Sequence, residues 1–339
     1  MSLSHRVGQR IVGWLTGPVA GDEARTLVQD LGVAGLILRA DNIESSTQLR
    51  TLTGDLQKLS AGNDPPIALL IAIDQEGGRV ARLKLPEATR LPPPAVWAAA
   101  YDADYVEALS YVVGRELRYH GANVNFAPVL DLKSGSPRSV VGDRAFSSDP
   151  AVVAELGVAY VRGASRAGVL LTGKHFPGHG ATTIDSHFEL PRVDHDREQM
   201  AAGLVPFAAA IDAGLPMIMT AHILFPRVDS SAPATFSGKI MRDMLRDELG
   251  FRGVLVSDAM EMRAVSDHNG LREIAERSLR AGVDIILLAD RFDAAELHAE
   301  MMDLVSTGAV DHSLLDEGVR RILRLKLTNG LVAAGDEDG

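Results

Sequence analysis

The sequence predicts an α/β fold built as one closed barrel of eight parallel strands, and three observations carry that expectation. Apolar runs of strand length alternate with polar segments of helical period eight times along the 339 residues. The runs are continuously apolar, the pattern of a parallel sheet covered on both faces. Nearly every run ends in a polar residue, as expected where a TIM-type (β/α)8 barrel collects reactive groups at the C-terminal ends of its strands. A doubly wound open sheet is the competing architecture, but the first strand lacks the Gly-rich phosphate turn such a sheet carries.

The elements follow in order. A strand at 11–15 leads to a helix at 22–31, with Gly32 as its C-cap. A strand at 35–38 precedes a helix that starts at Ser45 or Ser46 and runs to Leu59. The third strand, 67–73, ends in DQEGGR at 74–79, and a helix at 103–120 follows the three prolines 92–94. The fourth, 124–130, delivers Asp131; a loop carrying Gly142, Asp143 and Arg144 then meets a helix at 150–166. The fifth, 169–172, runs into KHFPGHGATTIDSH at 174–187 and a helix at 197–213. Strands at 217–220, 254–256 and 284–288 end in Ala221-His222, Ser257-Asp258 and Asp290, with helices at 239–249, 271–281, from Ala294 and from Ser313. Residues 1–332 read as one barrel domain and 333–339 as a frayed acidic tail.

Composition narrows the function. A formal charge of −11 repels nucleic acid and anionic membrane surfaces, so neither is an expected partner. The absence of Cys removes disulfides, thiolate metal sites and thiol nucleophiles. No apolar run approaches the roughly 18 residues of a membrane span. The N-terminus has no apolar leader followed by a small-residue cleavage site, which favours a cytoplasmic protein.

The stretch 174–187 places His175, His179, His187, Lys174 and Asp185 on a segment that Pro177, Gly178 and Gly180 keep from being helical. His175, His179, His187 and Asp185 could ligate zinc, yet no HExxH or i, i+4 helical arrangement is present, and no metal or cofactor is expected. Acid–base chemistry fits better: Asp185 and His187, one residue apart, share a face of an extended segment and can hydrogen-bond. A bland reading, His residues that satisfy backbone groups of a Gly-rich loop, explains one or two of them. Lone strand-end carboxylates such as Asp131 and Asp290 serve equally well as helix caps. Arg79, Arg82 and Arg144 read blandly as surface ion pairs, which their position beyond strand ends weakens.

Taken together, DQEGGRVARL at 74–83, GDRAF at 142–146, KHFPGHG followed by DSH, TAH at 220–222 and SDAMEM at 257–262 resemble family 3 glycoside hydrolases. More narrowly, they are similar to its bacterial β-N-acetylglucosaminidases of the NagZ type. The resemblance implies a retaining, exo-acting enzyme that removes terminal β-linked N-acetylglucosamine through a covalent glycosyl-enzyme. It implies Asp258 as nucleophile and His187 with Asp185 as acid/base on a mobile loop. It places Asp74, Arg82, Arg144, Lys174 and His175 on the sugar, and a carbohydrate as the small-molecule partner. The substrate it suggests is an anhydro-muropeptide fragment met during cell-wall recycling. Because an imidazole base is uncharged, phosphate could approach the intermediate, so a phosphorylase is the first alternative, followed by a β-glucosidase and a non-catalytic sugar-binding barrel.

Overall fold

In the computed structural model, which describes residues 1–100, 102–136, 139–182 and 184–331, side chains alternate between the two faces of each strand and so divide the apolar residues into two cores. The strands are β1 Ile11–Trp14, β2 Gly35–Leu38, β3 Leu70–Ile73, β4 Val124–Asn125, β5 Leu170–Phe176, β6 Met217–Thr220, β7 Val254–Val256 and β8 Ile286–Leu287. Each pairs in parallel with the next, β8 pairs with β1, and a bridge from Val256 to Ile285 closes the barrel between β7 and β8. Val12, Ile37, Ala72, Met219 and Val256 point inward and fill the barrel, while Leu36, Ile71, Ile218 and Leu255 point outward under the helices. The expected eight-stranded α/β barrel is the observed one.

Several helices begin at a side-chain cap. Ser45 accepts from the Gln48 amide ahead of Ser46–Ala61, and Asp102, Asp149, Asp196, Asp293 and Asp311 cap the helices that follow them. The helix expected at 22–31 widens to π winding over Thr26–Asp30, and the one expected at 239–249 is π-wound over Lys239–Glu248. A short helix Leu3–Gly8, a hairpin of Gln75–Gly77 with Val80–Ala81, and a helix Pro94–Ala100 add to the expected set. The acidic tail expected at 333–339 lies outside the described residues. Among the described residues no helix is long and apolar enough to cross a membrane.

Five strands differ in length from their apolar runs: β1 ends one residue early, β3 begins three residues late, and β4, β5 and β8 differ for local reasons. β4 stops at Asn125 ahead of Pro128, which cannot donate to a ladder; beyond it the chain stays against β5 through the Ala127 and Pro128 carbonyls, which accept from Thr172 and Lys174, and a bridge from Val129 to Lys174. β8 is short because the Asp284 carboxylate, rather than a carbonyl, takes the Leu255 amide at 2.8 Å. β5 is longer than expected and carries Lys174 and His175 within the ladder rather than on a loop.

The closing helix His312–Thr328 plugs the N-terminal end of the barrel with Ile322 and Leu325. It also buries Lys326, whose Nζ donates to Gln9 Oε1 at 2.9 Å and to the Ala34 carbonyl at 2.8 Å. Among the described residues no carboxylate bonds to it, and burial pushes the ammonium down to about 7. An unfolded lysine titrates near 10.4, so between about pH 7 and 10 the unfolded chain binds a proton that the native one does not. Stability conferred by this site therefore rises with pH across that window. In denaturant titrations, the stability of wild type relative to Lys326→Met is expected to increase from pH 7 to 9, approaching about 1.4 kcal/mol per pH unit; a difference independent of pH would contradict it.

Candidate active site

The same alternation that fills the barrel aims chemistry into its C-terminal mouth. Inward positions 70 and 72 of β3 continue to Asp74 and Glu76; 170 and 172 of β5 continue to Lys174; 254 and 256 of β7 continue to Asp258. Lys174 is buried, and its Nζ lies 2.8 Å from Asp74 Oδ1 and 2.6 Å from Glu76 Oε1. These carboxylates outweigh burial and raise the ammonium above its ordinary value. Glu76, also buried, is gripped on both oxygens by Arg144, through Nε and Nη2, each at 2.8 Å. Burial alone would raise the Glu76 carboxyl, but Lys174 and Arg144 bring it down to about 2. Asp74 keeps Oδ2 toward Arg82 at 3.9 Å, and its side chain is 18% exposed, which leaves a carboxylate oxygen for a ligand hydroxyl.

A second carboxylate–cation layer adjoins the first. His175 Nδ1 lies 2.7 Å from Asp131 Oδ2, so its N–H must donate, and Arg144 Nη2 stands 3.5 Å from Nε2. Asp131 also accepts from the His179 amide at 2.5 Å; it is ionised despite burial, through His175 and His179. It is a site group rather than a helix cap. Asp258 accepts from the Ala259 amide at 2.8 Å. Burial pushes its carboxyl up, but His175, His222, that amide and Lys174 together hold it below the ordinary value. His222 is buried under it: Nε2 donates to the Ala259 carbonyl at 3.1 Å, and Nδ1 meets Thr235 Oγ1 at 2.7 Å. Burial lowers the His222 pKa, so the ring stays neutral at pH 7.

Asp185 and His187 meet as expected, but in a turn rather than an extended segment. Asp185 Oδ1 accepts both the His187 amide, at 2.9 Å, and its ring Nδ1–H, at 2.8 Å, an Asx-type turn that a strand could not make. The His187 side chain is 68% exposed, with Nε2 free to exchange a proton. His187's amide, ring and charge keep Asp185 ionised against its partial burial. Beside the pair, His179 is buried and pushed down to about 4, first by burial. Its ring links Thr182 Oγ1 at 2.6 Å to Ser186 Oγ at 3.1 Å, and the Ser186 carbonyl accepts from Ala264 at 3.1 Å. The segment is thereby tied to the loop that follows Asp258. Gly180 is required there because a Cβ would sit 1.8 Å from the Leu132 carbonyl oxygen, whereas Gly178, at φ +133°, has open space around it.

The rings of the three histidines of 174–187 thus have different hydrogen-bond partners, although His175 and His179 share Asp131 and their rings pack edge to face at 5.5 Å. Of the expected residues, Asp74, Arg82, Arg144, Lys174 and His175 fall in one connected cluster, Asp258 is electrostatically coupled to it, and Asp185 with His187 sits on the adjoining loop. Glu76 and Thr235 were not expected. Glu76 was findable, since it lies two residues beyond Asp74 and so on the same face; Thr235 had no sequence signal.

Groups from several strand ends gathered on one rim define a barrel of the kind whose chemistry is carried by its C-terminal loops. The model of the glycosyl hydrolase family 3 N-terminal domain matches residues 3–325, and the chain belongs to that family. The β-hexosaminidase of Alkalilimnicola ehrlichii is 42% identical over 83% of this chain and 80% of its own length. β-Hexosaminidase A of Pseudoalteromonas piscicida is 39% identical over 90% of the chain, which spans 55% of that protein. Among solved structures, a family 3 β-N-acetylglucosaminidase from Paenibacillus sp. str. FPU-7 superposes with a TM-score of 0.93 at 38% identity, covering 100% of this chain and 65% of the other. The β-N-acetylhexosaminidase of Beutenbergia cavernae DSM 12333 gives 0.89 at 29% identity over 97% and 99%.

Glu76 is the test of the cluster. Glu76→Gln leaves Lys174 and Arg144 short of a buried countercharge and should cost about 3–5 kcal/mol of stability at pH 7. Because the folded carboxyl titrates at about 2, below its unfolded value, the wild-type advantage is present above about pH 4.5 and fades as pH falls toward 2. Denaturant titrations of both proteins across that range check it; a gap that persists unchanged at pH 2 would rule out the charge account.

Proposed function

We propose that the protein is a retaining, exo-acting β-N-acetylhexosaminidase that removes terminal β-linked N-acetylglucosamine. The observation that carries this reading is the pairing of an ionised carboxylate, Asp258, at a strand end with an exposed imidazole, His187, whose tautomer Asp185 fixes on a loop hydrogen-bonded to the segment after Asp258. The relatives named β-hexosaminidase supply the substrate class.

In this mechanism Asp258 attacks the anomeric carbon while His187 Nε2–H gives its proton to the departing glycosidic oxygen. The bond to the aglycone breaks, a glycosyl ester forms on Asp258, and the now neutral imidazole removes a proton from the water that hydrolyses that ester. Asp185 stabilises the imidazolium and keeps Nδ1–H pointed at itself. Asp74 accepts from sugar hydroxyls, while Lys174, Arg82, Arg144 and His175 donate to hydroxyl and N-acetyl oxygens. Motion of the loop about Gly178 brings His187 onto the substrate. The natural aglycone we assign is an anhydro-muropeptide fragment, a substrate of cytoplasmic cell-wall recycling.

With a nitrophenyl N-acetylglucosaminide, His187→Ala should lower turnover by ~10² to 10⁴, and less with a better leaving group, which needs less proton assistance. Asp258→Ala should abolish turnover; near-wild-type rates in that variant would remove Asp258 from the mechanism. The same assay with added phosphate should still give free N-acetylglucosamine of β configuration as first product. A sugar 1-phosphate instead would make the protein a phosphorylase, and faster cleavage of a glucoside would make it a β-glucosidase.

A further inference from the structure

Five arginines meet at the end of the barrel opposite Asp258. Arg242 and Arg246 lie on the helix Lys239–Glu248, Arg252 on the link into β7, and Arg321 and Arg324 on the closing helix. With Asp247 and Glu317 they line a cavity of about 400 Å³. Two of them are neutralised: Arg246 Nη2 and Arg321 Nη1 share the buried Asp284 carboxylate at 2.7 and 2.8 Å, and Arg321 reaches Glu317 at 3.4 Å. The guanidinium groups of Arg242, Arg252 and Arg324 have neither a hydrogen bond nor an ion pair among the described residues.

Arg242 points to a missing partner most directly. Its Nε is buried and has no acceptor, a state that native proteins rarely leave uncorrected. Gly282, which caps the preceding helix at φ +93°, keeps the space beside it open, for a Cβ there would stand 3.3 Å from that nitrogen. Crowding acts on the neighbour too: burial lowers the Arg246 pKa, opposed by Asp284 and reinforced by Arg321 and Arg252. Against the five guanidinium groups stand three carboxylates, Asp247, Glu317 and Asp284, so positive charge is in excess here in a chain of net charge −11.

We infer that this cavity is a binding site for a small phosphate-bearing anion with two or more negative charges. A guanidinium fork matches a pair of phosphate oxygens, and tetrahedral phosphate presents such pairs in several directions at once. Three free forks on three separate elements suit that geometry, whereas a planar carboxylate engages one fork fully. A half-open cavity in an acidic protein, rather than a basic stripe along its surface, suits a small anion better than nucleic acid. The bound anion ties together the helix Lys239–Glu248, the link into β7 and the closing helix, so occupancy stabilises the barrel at the end away from catalysis.

Calorimetric titration with inorganic pyrophosphate at constant ionic strength, together with thermal melting, tests the site. Wild type should bind pyrophosphate saturably, bind phosphate more weakly, and melt at higher temperature in the complex. Arg242→Gln should weaken pyrophosphate at least tenfold, and so should Arg252→Gln with Arg324→Gln, two exposed positions whose change leaves the fold intact. Arg82→Gln, at the opposite rim, should leave the affinity unchanged. The inference is overturned if sodium chloride at equal ionic strength reproduces the melting shift, if the exposed double variant binds as wild type does, or if Arg82→Gln alone abolishes binding and so places the anion in the sugar site.

Discussion

Lys174 carries its charge where water cannot reach it, and Asp74 and Glu76, with Arg144 closing on Glu76, are what make that charge tolerable. Desolvating two cations and two carboxylates is costly, and the arrangement persists because every charge has an opposite partner at hydrogen-bond distance. Its consequence is preorganisation: oxygens and N–H groups at the mouth of the barrel are fixed in place and need no reorientation to meet a ligand. Asp258 draws on the same field, since His175 and Lys174 help hold its carboxyl below the ordinary value against burial.

Strand alternation connects this cluster to stability without mixing the two. Inward side chains in the body of the barrel are apolar apart from Thr172, and inward positions at the mouth include Asp74, Lys174 and Asp258. One periodicity therefore sets both the core and the site, and a register slip of a single residue would lose both. The far end is sealed by the closing helix, where the buried Lys326 and the arginine cavity concern the integrity of the barrel rather than sugar chemistry. The Asp185–His187 pair sits on the segment that follows β5, tethered through His179, Ser186 and Ala264.

Much of this was legible in the sequence because strand and helix periods are local signals. The eight strand positions, the Ser45 cap and the convergence of strand-end residues all follow from them. Strand ends were less legible: Pro128 and the Asp284 side chain each replace a ladder bond, and apolarity alone does not report that. The Asp185–His187 contact was readable from spacing, but its turn geometry was not, because an Asp side chain that caps its own backbone competes with extension. Asp131 could not be separated from a helix cap until His175 and His179 were seen to share it. The arginine cavity was invisible, since its walls come from the stretches 242–252 and 317–324 with Gly282 between them in sequence, and none of them carries a motif.

The central claim is that a covalent sugar ester forms on Asp258. Intact-mass spectrometry of the enzyme exposed to an N-acetylglucosaminide analogue with an activated leaving group, and with ring electronics that slow hydrolysis of the intermediate, addresses it directly. The account predicts a mass gain of one glycosyl group, mapped by peptide digestion to the fragment that carries Asp258 and absent from Asp258→Ala. An adduct on another residue, or turnover of the analogue through a noncovalent species with no adduct at any time, would contradict it.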